Sequence, residues 1–353
     1  MSILKFWIAG LITTVAAIGV SVPSWALPLS PGDRLRLFVA GEEEIPEAER
    51  FSATYEVNLD GSLKFPYLDP IPAAGREVSE IEEDLVKGLL AGGFFQPDFL
   101  KVSIQLFEWA PIQVTVGGAV FEPGRVLIND TDSKGRDLPA SIATVSGDYP
   151  PERYLTFAIL TAGGIKPNAN IEQVRLVRGE QEQVIDLSGV FTGSPVEDIP
   201  LIAGDQIIVP TRELPQYYLA RPSQLTPSTI PVFLSNLTNP NNGRDLRIQE
   251  VEYGSRLSQA VIAASCVGGT ESTNADRRAL LLQTDRTTGE TLAIERSVED
   301  LVKKPNDEQV NPVLMPRDSV ACYDSTVTNV KSVFDFIGDI FNPIRIIRDI
   351  FIP

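Results

Sequence analysis

The chain has 353 residues, enough for two or three domains with cores of their own, and its 43% hydrophobic and 22% charged content is that of a folded globular protein rather than a disordered one. Its 47 acidic residues against 30 basic ones leave a net charge of −17, which excludes the basic footprint a nucleic-acid binder needs. There is no histidine, so Ser-His-Asp and Cys-His catalysis, histidine zinc sites and imidazole acid–base chemistry are all excluded.

Residues 1–26 read as a secretory signal: Lys5, an apolar run from Phe6 to Val20, then Pro23-Ser24-Trp25-Ala26 with small residues at the cleavage positions. The run is on the short side of the ~20 residues a spanning helix needs. No cysteine follows it, so an N-terminal lipid anchor is not expected.

The first module, residues 27–110, opens with Leu29-Ser30-Pro31-Gly32-Asp33. Pro31 presets φ, Gly32 supplies the permissive position, and Asp33 is placed to bond the backbone two residues on. Leu35, Leu37 and Val39 then alternate with Arg34, Arg36 and Phe38, as in a half-buried strand. Asp60-Gly61 between Val57/Leu59 and Leu63/Phe65 predicts a hairpin. Beyond it, Ile81, Leu85 and Leu89, joined by Val78 and Val86, predict a helix with Ser79 as N-cap, Glu82 completing a capping box, and Gly92-Gly93 as the stop. Phe99 to Glu108 reads as a strand with Leu100, Val102, Ile104 and Leu106 on one face.

The second module, residues 111–210, begins with a strand from Ile112, a bend at Gly117-Gly118 and a turn at Pro123-Gly124. Asn129 to Pro151 is polar and reads as a surface loop. A short helix, Leu155 to Leu160, ends at Ala162-Gly163-Gly164. Strands Val174 to Arg178 and Val184 to Leu187 flank a turn at Gly179, and Leu201 to Pro210 carries Gly204-Asp205. Residues 211–227 are rich in proline and polar side chains and read as a linker.

The third module, residues 228–325, repeats the order of the second. Ile230 to Leu234 stands where Ile112 to Val116 stood, and the helix Leu257 to Ala264 precedes Gly268-Gly269. Asn274-Ala275 parallels Asn168-Ala169, Ala279 to Gln283 parallels Val174 to Arg178, and Arg317 to Cys322 parallels Gly204 to Val209. In a secreted chain the pair Cys266 and Cys322 reads as one disulfide.

Residues 326–353 predict an amphipathic helix that Pro343 kinks or restarts. Val330, Phe334, Ile337, Phe341, Ile344, Ile347 and Phe351 form the apolar face, lipid-facing if the helix spans a membrane. Thr328, Lys331, Asp335, Asp339, Arg345 and Arg348 lie away from it and are the pore-lining candidates. Docking on its own domain, lying in a membrane interface and spanning within a ring all fit an amphipathic pattern. About 26 residues reach ~39 Å, against a hydrocarbon core of ~30 Å. A single spanning copy would expose Asp335, Asp339 and Arg345 to lipid at ~2.5–3.5 kcal/mol each. A closed ring turns them to water.

Two groups of these motifs carry a resemblance. The Pro31-Gly32-Asp33 turn with its strand, followed by Asp60-Gly61, resembles the opening of the polysaccharide export domain of bacterial outer-membrane exporters. Val114 to Gly118, Gly163-Gly164 and Gly204-Asp205 resemble the soluble-ligand-binding β-grasp domain that follows it in that family, and the third module resembles a diverged second copy. The resemblance implies an α+β multidomain fold, no enzyme activity and no cofactor. It also implies a ring-forming passive conduit for capsular or extracellular polysaccharide in the periplasm and outer membrane, with C-terminal helices forming the exit pore. The implied partners are further copies of the chain, the polysaccharide, the outer membrane and an inner-membrane polysaccharide co-polymerase. Many members are lipoproteins, and this chain departs from them. One alternative is a monomeric periplasmic carbohydrate-binding module with a docked C-terminal helix, stacking sugars on Trp109, Tyr149, Tyr154, Tyr217 or Tyr218. Another is a carboxylate glycosidase using the run Glu42, Glu43, Glu44, which otherwise reads as a solvated turn.

Overall fold

The computed structural model describes residues 27–42, 45–46, 49–130, 151–237, 247–267, 277–285 and 288–324. The expected signal at residues 1–26, Glu43, Glu44, Tyr149, Gly268-Gly269, Asn274-Ala275 and the whole C-terminal segment with its pore-lining and lipid-facing candidates lie outside the described residues. Helices and sheets mix within successive modules, an α+β multidomain fold.

In the first module, β1 (Arg34–Val39) is the central strand of a three-stranded antiparallel sheet, between β2 (Thr54–Glu56) and β5 (Val102–Glu108). Its alternation is as the sequence predicts: Leu35, Leu37 and Val39 are buried. They pack with Ile81, Leu85 and Leu89 of α1 (Val78–Ala91), each fully buried. Full burial of an aliphatic side chain is worth roughly 1.5–3 kcal/mol, so this stripe holds the helix to the sheet.

The helix starts earlier than Ser79. Glu77 is its N-cap, and the Glu80 carboxylate accepts from the Glu77 N–H at 3.0 Å. Glu82 is released from capping and instead accepts from the Ile104 N–H at 3.0 Å, tying helix to strand.

The turn at Asp60-Gly61 forms, with the Asn58 N–H donating to the Ser62 carbonyl at 2.9 Å, but the hairpin does not extend from it. The N–H and carbonyl of Val57 are taken by Asp33 and Gly32. Leu59 is therefore left outside at 96% exposure, and β3 (Ser62–Leu63) pairs with β4 (Ile71–Pro72). Glu42 is no solvated turn residue. It is buried, and its carboxylate accepts from the N–H groups of Phe51 and Ser52 at 2.8 and 2.9 Å and from the Ser52 hydroxyl at 2.5 Å.

The second module is a five-stranded mixed sheet built from β6 (Ile112–Gly118), β7 (Gly124–Ile128), β8 (Val174–Arg178), β9 (Gln181–Ile185) and β10 (Gln206–Val209), with helices α2 (Leu155–Thr161) and α3 (Gly189–Thr192). The strand order is β7-β6-β10-β8-β9, and only the central pair β6/β10 is parallel. The first and last strands of the module thus lie side by side, as in a β-grasp. Of the two glycines that bend β6, only Gly118 is constrained. It has φ +87°, and a Cβ there would lie 2.0 Å from the Val209 carbonyl oxygen, whereas nothing lies within 4 Å at Gly117.

The third module contains β11 (Thr229–Asn236), β12 (Arg247–Glu252), α4 (Leu257–Ala263), β13 (Arg277–Thr284), β14 (Thr291–Ser297), α5 (Val298–Lys303) and β15 (Ser319–Asp324). Its order, β12-β11-β15-β13-β14 with β11/β15 parallel, reproduces that of the second module strand for strand. The two modules that repeat in sequence repeat in topology. Cys266, just after α4, is disulfide-bonded to Cys322 in β15 with Cα atoms 6.0 Å apart, and both are fully buried.

Residues 211–227 are not a slack tether. Leu219 and Leu225 are fully buried in the second module's core while Ala220 enters the third's. The Leu225 carbonyl accepts from the Ile165 N–H at 3.0 Å. A Cβ at Gly164 would sit 2.9 Å from that same oxygen, so the glycine lets the segment pass.

Candidate functional site

One turn is used three times, each time delivering a buried aspartate to the start of a strand. In Ser30-Pro31-Gly32-Asp33, Ile202-Ala203-Gly204-Asp205 and Met315-Pro316-Arg317-Asp318, the aspartate N–H donates to the carbonyl three residues back at 3.1, 3.2 and 3.1 Å. The carboxylate returns the favour, accepting from the N–H of that same residue at 2.7, 2.9 and 2.8 Å. Asp33 therefore reaches back to Ser30, not forward two residues. The third position is left-handed in all three, with φ +92° at Gly32, +90° at Gly204 and +69° at Arg317. The third turn thus holds an arginine where a type II turn favours glycine.

What differs is the partner each aspartate finds. Asp205 is gripped by Arg178, whose Nε and Nη2 donate to its two oxygens at 3.0 and 2.8 Å. This bidentate pair matches guanidinium to carboxylate geometry. Asp318 receives only a neutral donor, Gln283 Nε2 at 2.7 Å, although Gln283 occupies in β13 the place of Arg178 in β8. Burial without a facing cation pushes the Asp318 carboxyl up to about 7.

Asp33 locks the first module to the second. Its Oδ1 accepts from the Ala110 N–H at 2.8 Å and from Arg153 Nη1 at 3.3 Å, both charged side chains being fully buried. Arg153 also donates to the carbonyls of Ala110 and Leu201, and its guanidinium lies 4.4 Å from the Trp109 ring centroid. Burial pushes the Asp33 carboxyl up, against the pull of Arg153 and the two N–H donors. The arrangement is a stiff joint, not a reacting centre. Trp109 serves that joint.

A cleft of about 750 Å³ lies between the second and third modules, walled by Phe121, Asn168, Tyr217, Gln283, Leu292 and Asp318, among others. The Asn168 Oδ1 is shut off from solvent and has no hydrogen-bond partner. Lys166 on its rim pairs with Asp285 at 3.5 Å.

The structure thus brings Pro31, Gly32 and Asp33 together with Arg153, and Gly204-Asp205 with Arg178. Asp60-Gly61 makes a local turn of the first module, Gly118 bends β6, and Gly163-Gly164 lie against residues 121–122 and the 225–227 segment. Tyr217 lines the cleft, whereas Tyr218 lies 6.2 Å from Phe191 in an edge-on ring contact. Sequence reasoning missed Arg153, Asp318, Gln283 and Asn168. The signal for Asp318 was present, since Met315-Pro316-Arg317-Asp318 is the third copy of the opening turn with arginine in place of glycine. Among the described residues no group of three acidic or cysteine side chains could hold a metal ion, and no helix is long and apolar enough to cross a membrane.

Residues 22–106 match the family described as polysaccharide biosynthesis/export protein. The chain is also 25% identical over 179 residues to the EPS I polysaccharide export outer membrane protein EpsA of Ralstonia nicotianae, a match covering 49% of this chain and 41% of that relative. The chain therefore spans about two fifths of the length of the curated relative it matches. The first module, in which Asp33 starts β1, is thus the part of the chain that matches a polysaccharide biosynthesis/export domain.

Proposed function

We propose that this chain forms a homo-oligomeric ring in the periplasm and outer membrane that conducts a capsular or extracellular polysaccharide without performing chemistry on it. Residues 326–353 of each copy would supply an amphipathic helix, and together these helices would form the exit pore. The observation that carries the reading is the export-family match over the first module, followed by two modules of one strand order held in line by a buried ion pair and a packed connector. A conduit for a bulky hydrated polymer needs a stiff wall more than a reactive cleft, and stacked modules joined without slack suit that need. The conduit supplies no driving force of its own, so synthesis at an inner-membrane co-polymerase would push the polymer through.

The test is native mass spectrometry of detergent-extracted protein, full length beside a version ending at Ser325. A closed ring that needs detergent, with a soluble truncated form, supports the conduit. Two soluble monomers would overturn it and leave a periplasmic binding module.

A further inference from the structure

We propose that the cleft between the second and third modules binds a neutral saccharide. Its volume, about 750 Å³, falls within the ~300–1,000 Å³ of small-molecule sites. Phe121 and Tyr217 offer ring surface to the C–H face of a sugar. Two of the polar side chains beside them keep an acceptor that has no partner among the described residues. The Asn168 amide makes no hydrogen bond within the described protein and its Oδ1 is an orphan acceptor. Gln283 spends its amide nitrogen on Asp318 and Val313, leaving Oε1 without a partner among the described residues. Unmet acceptors on an aromatic wall call for a ligand rich in hydroxyl donors.

Charge selects among such ligands. The lining carries Glu122, Glu213, Asp285 and Glu290, beside the buried Asp318, against one lysine, and that lysine is already paired with Asp285. An acidic sugar would meet repulsion there. A metal ion is disfavoured because, among the described residues, no three ligating side chains converge. The inference rests on the export reading only for preferring sugars over other polyols.

The experiment is saturation-transfer NMR on the full-length protein with cellobiose, lactose and mannobiose, beside digalacturonate and spermidine. Neutral disaccharides are expected to bind and digalacturonate to fail. Asn168→Leu removes an amide that bonds nothing inside the protein, so it leaves the fold intact and weakens binding by about tenfold or more. The double variant Glu213→Lys/Glu290→Lys, at two exposed positions, is expected to admit digalacturonate. Absence of any neutral-disaccharide signal at millimolar concentration, binding indifferent to both variants, or a preference for spermidine would each overturn the proposal. The ring measurement is independent of these outcomes, so a ring without sugar binding, or sugar binding without a ring, tells the two readings apart.

Discussion

Asp318 makes the third module's stability depend on pH in a calculable way. Its carboxyl ionises at about 7 in the folded chain against an ordinary 3.8. Between those values the unfolded chain has released the proton and the folded chain still holds it, so stability falls as pH rises through that window. Below it both states are protonated, above it both are ionised, and the curve is flat. At about 1.4 kcal/mol per pH unit, the gap amounts to about 4 kcal/mol. The nearby cations do not offset it, since Lys166 is paired with Asp285 and Arg317 faces Glu122 at 3.9 Å. Asp318→Asn keeps an acceptor for both the Gln283 amide and the Met315 N–H, which converge on one oxygen, and cannot ionise. The assay is hydrogen exchange by mass spectrometry on β15, corrected for intrinsic rates, from about pH 4 to 8. Near the acid end variant and wild type should match; near the alkaline end the variant should be more stable by up to about 4 kcal/mol. Asp33 and Asp198, also raised by burial, tilt both proteins alike and cancel in the difference. Gln283→Arg, which rebuilds the partner Asp205 enjoys, should flatten the wild-type curve. A gap between Asp318→Asn and wild type that does not change with pH would refute the reasoning.

Two further outcomes follow from the turns and the joint. Arg153→Met strands the buried Asp33 charge and is expected to cost about 3–5 kcal/mol, with exchange protection lost first at the Ala110 amide; the double change with Asp33→Asn should recover much of that loss. Arg317→Gly removes a left-handed arginine worth about 1–2 kcal/mol of strain, less about 0.5–1 kcal/mol for the freer unfolded glycine. The Glu122 contact it gives up is half exposed and contributes little. A thermal melt should therefore show the third module's transition rising by a few degrees.

Local patterning was legible wherever a face is buried. Alternation in β1 and the stripe of α1 were readable because burial imposes periods of 2 and 3.6 on the sequence. The repeat of the second module in the third was readable from its glycines and aspartates, because turns demand particular residue types at fixed offsets. Cap position was not: Ser79 suits an N-cap, but Glu77 took the role and left Glu82 free to reach β5. Nor was the course of the chain after Asp60-Gly61 readable, since the backbone groups of Val57 were claimed by Gly32 and Asp33, about 25 residues earlier.

By itself the sequence determined the order of modules, the turns that open their strands and the likeness to an export family. Each of these is written in short runs whose chemistry is local. The tertiary structure alone decided what those turns do. Three near-identical turns bury three aspartates, and the partner at each site comes from far along the chain: Arg153 for Asp33, Arg178 for Asp205, Gln283 for Asp318. Whether a buried carboxylate becomes a rigid joint, a neutralised pair or a proton-holding acid depends on that partner. No local rule names it, because only packing brings the two segments within hydrogen-bond reach.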